Sequence, residues 1–148
     1  MIISGSFETL SGYENAINFL GNIDNIISCM PMYDVKKDGI IKAKIKIDLS
    51  FLNMDALKSI TGKISFNYIV NDNNITVDGS GRAAGAGLKF KIDIKINKDK
   101  NTIILWNADF DPGIIAKMLG KNKLDEAASV NIENAIKCIK ARLDDLHH

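Results

Sequence analysis

The chain has 148 residues and a formal net charge of +1, with 46% apolar and 25% charged residues. These values are typical of a globular protein, and we expect residues 1–148 to form a single domain. The balanced charge argues against nucleic-acid binding, and no run of about 18 apolar residues predicts a membrane-spanning helix. The N-terminus lacks the features of a signal peptide, so the expected location is the cytoplasm. His147 and His148 are interpreted as the remnant of a tag.

The first two thirds of the chain predict a strand, two short helices and a meander of strands. A strand is expected over residues 2–8, and short helices over 11–20 and 23–29. Residues 41–51 alternate between apolar and mostly charged positions, which is typical of a strand with one face in water. Residues 64–70, 75–96 and 102–110 show the same period of two, interrupted by turns rich in Asn, Asp and Gly.

Residues 79–87 read Gly-Ser-Gly-Arg-Ala-Ala-Gly-Ala-Gly and lie between two strand-like segments. Glycine inside a strand usually marks a bulge, a bend or a close approach to the backbone. On the inner side of a curled sheet these small residues would leave room for a ligand. The run also fits the G-x-G-x-x-A spelling of a dinucleotide loop, which requires a helix directly after it. Residues 88–96 instead alternate as a strand does, so a phosphate-binding loop is rejected.

The end of the chain predicts one long helix of about 20 residues, because apolar residues between Leu124 and Leu143 recur at helical spacing. The predicted fold class is therefore α+β. A curved antiparallel sheet of six strands wraps around this C-terminal helix, and two short helices follow the first strand.

This layout resembles the helix-grip fold of the START-like (SRPBCC) superfamily. Within it, the chain resembles the carbon monoxide dehydrogenase G-subunit family, in the stretches 3–8, 29–31, 79–87 and 108–109. The chain departs from the family pattern at Met32, where glycine is frequent, and in a longer, more apolar link over residues 49–60. The resemblance implies that a lipid, sterol, quinone or other apolar molecule binds between sheet and helix. We expect no cofactor and no metal.

The resemblance also implies an accessory role in a molybdenum-type carbon monoxide dehydrogenase system, by membrane recruitment or by supply of a lipophilic electron acceptor. Two alternatives stay open: a small cyclase- or hydrolase-type enzyme on the same fold, and a docking protein whose cavity is filled by side chains. An enzyme needs polar groups that converge in the pocket. The chain offers few of them and has no internal histidine, so we assign no catalytic residue.

Cys29 and Cys138 lie far apart in the sequence and match no metal-binding spacing. We expect both to be buried free thiols, because disulfides are rare in the cytosol. A nucleophilic Cys29 would need a neighbouring base, and no obvious one is present.

The residues expected to contact the ligand lie on the glycine-rich strand, on its neighbours and on the long helix. They are Gly81, Ala83, Gly85, Phe66, Tyr68, Trp106, Phe110, Cys29, Met30, Ile132 and Ile136. Arg82 either faces solvent or holds a polar head group, and the sequence leaves both possibilities open.

Two apolar segments are expected to face each other at the cavity mouth. They contribute Phe51, Leu52, Met54 and Leu57 from one side, and Ile115, Met118 and Leu119 from the other. Lys117, Lys121 and Lys123 add a positive rim. The pair of segments either contacts an anionic membrane transiently, which would place the protein at the inner membrane face, or forms a lid packed on its own helix.

Overall fold

The structure, a computed structural model, describes residues 1–54 and 57–146. Within them, the strands are β1 Ile2–Thr9, β2 Met32–Asp38, β3 Ile40–Asp48, β4 Ser59–Asn71, β5 Asn74–Ala83, β6 Ala86–Lys98 and β7 Thr102–Asp111. The α-helices are α1 Tyr13–Leu20, α2 Ile114–Leu119 and α3 Lys121–Asp145, and the 3₁₀ helices are Ile23–Asn25, Ile27–Cys29 and Ser50–Leu52. The terminal histidines, and residues 55 and 56 of the apolar link over residues 49–60, lie outside the described residues.

The strands form one antiparallel sheet in the order β1-β7-β6-β5-β4-β3-β2, with the long helix α3 at the end of the chain. This confirms the predicted α+β helix-grip fold. The described sheet has seven strands rather than six, because the edge strand β2 was not predicted. Its pairing with β3 shifts register between Tyr33 and Lys36, and Asp34 has a φ of +50°. Such a bulge breaks the period-two pattern by which a strand is recognised in a sequence.

Two hydrophobic clusters lie between the sheet and the helices. One cluster joins the inner sides of β3 to β6 to α2 and the start of α3, and includes Phe66 and Ala83. The other joins α1, the opposite end of the sheet and the end of α3, where Leu143 is fully buried. Helix α3 therefore has packed partners at both of its ends.

Cys29 and Cys138 form a disulfide, so the prediction of two free thiols is wrong. Their Cα atoms lie 5.5 Å apart although 109 residues separate them in sequence. That distance is in the normal range for a disulfide. Folding brings α3 against the 3₁₀ helix Ile27–Cys29, and this proximity leaves no spacing motif in the sequence.

Asp144 ties the end of α3 to the end of β1. Its carboxylate accepts hydrogen bonds from the Thr9 hydroxyl at 2.7 Å, the Leu10 amide at 2.9 Å and the Lys140 ammonium at 2.7 Å. The hydrogen bond from Lys140, followed by those from Leu10 and Thr9, lowers the pKa of Asp144 from 3.8 to about 2. The charged form of Asp144 is therefore the one that stabilises this junction.

We expect Asp144→Ala to lower the free energy of unfolding by about 1–3 kcal/mol at neutral pH, because the buried Thr9 hydroxyl loses its acceptor. The pKa of Asp144 is lower in the folded state, so its contribution is complete above about pH 4 and is lost as the pH falls toward about 2. Urea unfolding of both proteins across this range measures the effect. A difference between them that did not shrink in acid would contradict the assignment.

Candidate ligand-binding cavity

A cavity of about 330 Å³ lies between the inner face of the sheet and the helices α2 and α3. Alternate side chains of β3, β4, β6 and β7 form the sheet side of its wall, since successive residues of a strand point to opposite faces. Ile45, Ile64, Phe90 and Ala108 are examples. Residues 30–32, which lead into β2, close one side. The disulfide at Cys29 is adjacent to this segment and joins it to α3.

Within the described residues, the wall exposes only apolar atoms to the cavity. Asn131 on α3 is a polar lining residue, but its amide Nδ2 donates to the Ala127 carbonyl at 2.8 Å. Asp109 and Asp111 also border the cavity, and both are exposed residues at outward-facing positions of β7. The cavity is therefore suited to hydrocarbon, and its described wall presents no acid, base or nucleophile.

The outer face of the sheet carries two larger depressions, of about 550 and 570 Å³. Exposed polar and charged side chains such as Lys91, Asp93 and Asp111 contribute much of their lining. Arg82 also faces outward, where its guanidinium donates to the Gly85 carbonyl at 3.0 Å. The inner cavity is the better candidate for an apolar ligand, because its described wall is apolar throughout.

Three of the residues expected to contact a ligand lie on the wall of the inner cavity. They are Met30, Phe110 and Ile132, which come from the segment before β2, the end of β7 and α3. Ile115 and Leu119, expected at the mouth, also line the cavity, from α2. The structure thus brings together residues from four separate parts of the chain.

The glycine-rich segment lies beside the cavity and does not line it. A Cβ atom at Gly81 would lie 2.2 Å from the Lys63 carbonyl oxygen, so β4 occupies the space that the missing side chain leaves. At Gly79, an added Cβ would lie 2.6 Å from the ring of Phe90. Ala83 is buried in the core. The small residues let neighbouring strands and side chains approach closely. Phe90, whose ring lies next to Gly79, is the residue that lines the cavity here.

Gly85 lies at the tip of the hairpin between β5 and β6. It forms a two-residue turn with Ala84, and both have positive φ angles, +77° and +53°. This conformation is typical of a tight hairpin turn, in which glycine avoids strain. The strand–turn–strand arrangement confirms that the G-x-G-x-x-A spelling is not a phosphate loop followed by a helix.

The other expected contact residues outside the cavity wall are in the hydrophobic core or in a covalent link. Phe66 is buried, and its ring centroid lies 6.3 Å from that of Phe90. The Tyr68 hydroxyl donates to the Leu20 carbonyl, and burial raises the pKa of Tyr68. Cys29 is in the disulfide, and Ile136 is half-buried on α3.

Trp106 lies on the inner face of β7, opposite Gly5 of β1. A Cβ atom at Gly5 would lie 2.8 Å from the indole ring, so the ring covers this glycine. Its buried Nε1 has no hydrogen-bond partner among the described residues. Trp106 is therefore part of the β1–β7 packing rather than of the described cavity wall.

The segments expected at the mouth divide between the core and the surface. Phe51, Leu52, Met54 and Leu57 pack against the hydrophobic cluster and do not line the cavity. On α2, Ile115 and Leu119 are 8% and 7% exposed, whereas Ile114 and Met118 are 48% and 45% exposed. Residues four apart share a face of a helix, so each pair lies on one side of α2. The sequence placed all four residues in one apolar segment at the mouth, because an apolar pattern on a short helix does not show which face is inside.

Sequence analysis missed the lining residues of β3 and β6, among them Ile45, Leu88 and Phe90. Their alternation with lysine showed that they face inward. It did not show which inward-facing residues border empty space.

Comparison with known proteins places these observations in a family. The family model for the G subunit of carbon monoxide dehydrogenase (CoxG) matches residues 5–144. No curated protein matches the chain significantly. Among the described residues, no helix is long and apolar enough to cross a membrane.

Solved structures with the same fold share little sequence with this chain. A conserved protein from Geobacillus kaustophilus aligns with a TM-score of 0.81 and 17% identity, over 100% of this chain and 98% of that one. The Zhui aromatase/cyclase from Streptomyces sp. R1128 aligns with a TM-score of 0.66 and 10% identity, over 97% and 93%. A START superfamily protein from Mycobacterium smegmatis aligns with a TM-score of 0.60 and 11% identity, over 98% of each chain. These similarities show the START-like fold.

Proposed function

The chain belongs to the carbon monoxide dehydrogenase G-subunit (CoxG) family, and from this premise we propose that it binds a hydrophobic small molecule, lipid or quinone-like, in its inner cavity. The observation that carries the proposal is the cavity of about 330 Å³ whose described wall exposes only apolar atoms. Ligand pockets are commonly concave and largely apolar, with volumes from about 300 Å³ upward. Burial of apolar ligand surface in this cavity contributes about 25 cal/mol per Å² to the free energy of binding.

The apolar wall favours binding over catalysis. An enzyme of the cyclase or hydrolase kind needs polar groups that converge on the substrate, as acid, base or oxyanion donor. The polar side chains nearest the cavity are those of Asn131, bonded to its own helix, and of Asp109 and Asp111, which face outward. The cavity volume equally disfavours the alternative of a docking protein whose cavity is filled by side chains.

Two finer parts of the proposal concern where the ligand comes from and where it goes. We propose that the exposed side of α2 contacts membranes transiently and that the partner is a carbon monoxide dehydrogenase-type complex. The exposed Ile114 and Met118 support the first part, and the family supports the second. The expected cytoplasmic, membrane-peripheral location is also part of the proposal. The Cys29–Cys138 disulfide argues against the cytoplasmic part of this proposal, since disulfides persist in oxidising compartments and are rare in the reducing cytosol.

Filling the cavity should weaken ligand binding without unfolding the protein. Ala128 lines the cavity from α3, and we expect Ala128→Phe to weaken binding of the apolar fluorophore N-phenylnaphthylamine at least tenfold, about 1.4 kcal/mol. The matched control is Ser129→Phe, which adds a phenylalanine ring at the exposed neighbouring position. Fluorescence titration, together with native mass spectrometry for co-purified lipid, measures binding. Wild-type affinity in a folded Ala128→Phe protein would place the binding site elsewhere.

The exposed side of α2 should mediate membrane contact. Replacing Ile114 and Met118 by Asp is expected to abolish co-sedimentation with vesicles that contain phosphatidylglycerol, with the thermal transition nearly unchanged, because both side chains are exposed. Lys117, Lys121 and Lys123 are exposed nearby, and each contributes about 1 kcal/mol at an anionic surface, so binding should fade as salt increases.

The buried side of the same helix supplies the control for this experiment. Replacing Ile115 and Leu119 by Asp would bury two charges and is expected to destabilise the fold. If wild-type protein does not bind these vesicles at low salt, α2 is a lid packed on its helix, and the ligand arrives through water or from a protein partner.

A further inference from the structure

We propose that the cavity takes its ligand with the hydrocarbon end first, accommodates a chain of roughly ten carbon atoms, and leaves the polar head at the opening. This inference rests on the proposed function and adds to it the orientation and length of the ligand. It follows from the chemistry of the wall, the position of the nearest polar groups and the volume.

The wall determines which end of the ligand enters. The Asn131 side-chain amide donates a hydrogen bond to the Ala127 carbonyl, and the described wall presents no polar atom to the cavity. The Tyr68 hydroxyl, which is near the same core, donates to the Leu20 carbonyl. A hydroxyl or carbonyl group carried into the cavity would lose its hydrogen bonds to water and gain none. Such a loss weakens binding by about 5- to 150-fold.

The opening determines where the head stays. The polar side chains that border the cavity, Asp109 and Asp111, lie at the end of β7 and are exposed. Gly113 donates its amide to the Asp111 carboxylate at 3.0 Å, which holds this carboxylate at the junction between β7 and α2. Lys117 is exposed on α2 close to this junction. A polar head at this edge keeps contact with water, because these residues are exposed.

The volume determines how much of the ligand is inside. A cavity of about 330 Å³ holds roughly 11 non-hydrogen atoms if each takes about 30 Å³, the share of one water molecule in the liquid. Each methylene group that enters should strengthen binding about fourfold, which corresponds to about 0.8 kcal/mol. Carbon atoms beyond this length remain at the opening and add little.

A chain-length series tests the inference on the intact protein. Straight-chain primary alcohols from hexanol to tetradecanol are titrated as competitors of N-phenylnaphthylamine. We expect affinity to rise about fourfold per methylene up to about decanol and then to level off. The diol with hydroxyls at both ends of the ten-carbon chain should bind at least tenfold more weakly than decanol, because one hydroxyl must enter the apolar wall. Replacing the alcohol head by a methyl ether should change affinity less than threefold.

The outcomes separate this inference from the proposed function. Equal affinities of decanol and its diol would overturn the hydrocarbon-first orientation. Affinities that keep rising through tetradecanol would overturn the length limit. In both cases the proposal that the ligand binds in the cavity would still stand. If neither the fluorophore nor any alcohol binds, or if Ala128→Phe leaves the whole series unchanged, the cavity is not the binding site and the proposed function fails together with the inference.

Discussion

Loss of the Cys29–Cys138 disulfide should lower the free energy of unfolding by about 4–5 kcal/mol, since the bond closes a loop with a sequence separation of 109 residues. A cross-link over such a loop restricts the unfolded chain, and the restriction grows with loop length. The bond also joins α3 to the segment before β2, and both elements contribute to the cavity wall. Its loss should therefore weaken ligand binding as well as stability.

Urea unfolding of oxidised protein, with and without a dithiol reductant, measures this effect. The control is the double variant Cys29→Ser and Cys138→Ser, which should match the reduced wild type in stability and be insensitive to the reductant. Alkylation of the denatured, unreduced protein should find no free thiol. An unfolding midpoint that the reductant does not move would show that the bond is absent in solution or contributes no stability.

The sequence predicted the fold because the elements that define it are strongly periodic. The lysine-rich alternation over residues 41–51 and the apolar spacing between Leu124 and Leu143 identify a strand of the sheet and the long helix. The edge strand β2 was missed because its bulge at Asp34 breaks the alternation. The disulfide was missed because it depends on where the 3₁₀ helix Ile27–Cys29 meets α3, which is a tertiary relation.

The site was harder to predict than the fold. A period of two shows on which face of the sheet a side chain lies, but it does not show whether that side chain borders the cavity or is packed in the core. Met30, Phe110 and Ile132 were proposed from the helix-grip layout, and the structure places them on the cavity wall. Phe66 and Ala83 face the same interior and are packed in the core instead. The difference depends on how Phe90 and the strand β4 occupy the space beside the glycines, which no local pattern encodes.

Gly81→Ala is expected to lower the free energy of unfolding by about 3 kcal/mol or more, although the sequence suggested that this glycine leaves room for a ligand. An added Cβ would lie 2.2 Å from the Lys63 carbonyl oxygen and 2.8 Å from the Ile64 Cα atom. Both are backbone atoms of β4, and Gly81 pairs with Ile64 in the sheet register. The methyl group therefore fits only if β4 and β5 move apart.

Gly87→Ala is the matched control, because Gly87 belongs to the same hairpin and a Cβ there would meet nothing within 4 Å. We expect this variant to stay within about 0.5 kcal/mol of wild type in urea unfolding. Titration of both variants with N-phenylnaphthylamine then separates the two roles of Gly81. If Gly81→Ala folds with wild-type stability but binds the fluorophore weakly, Gly81 contacts the ligand, as the sequence suggested. If only Gly81→Ala loses stability, Gly81 is assigned to the close approach of β4 and β5.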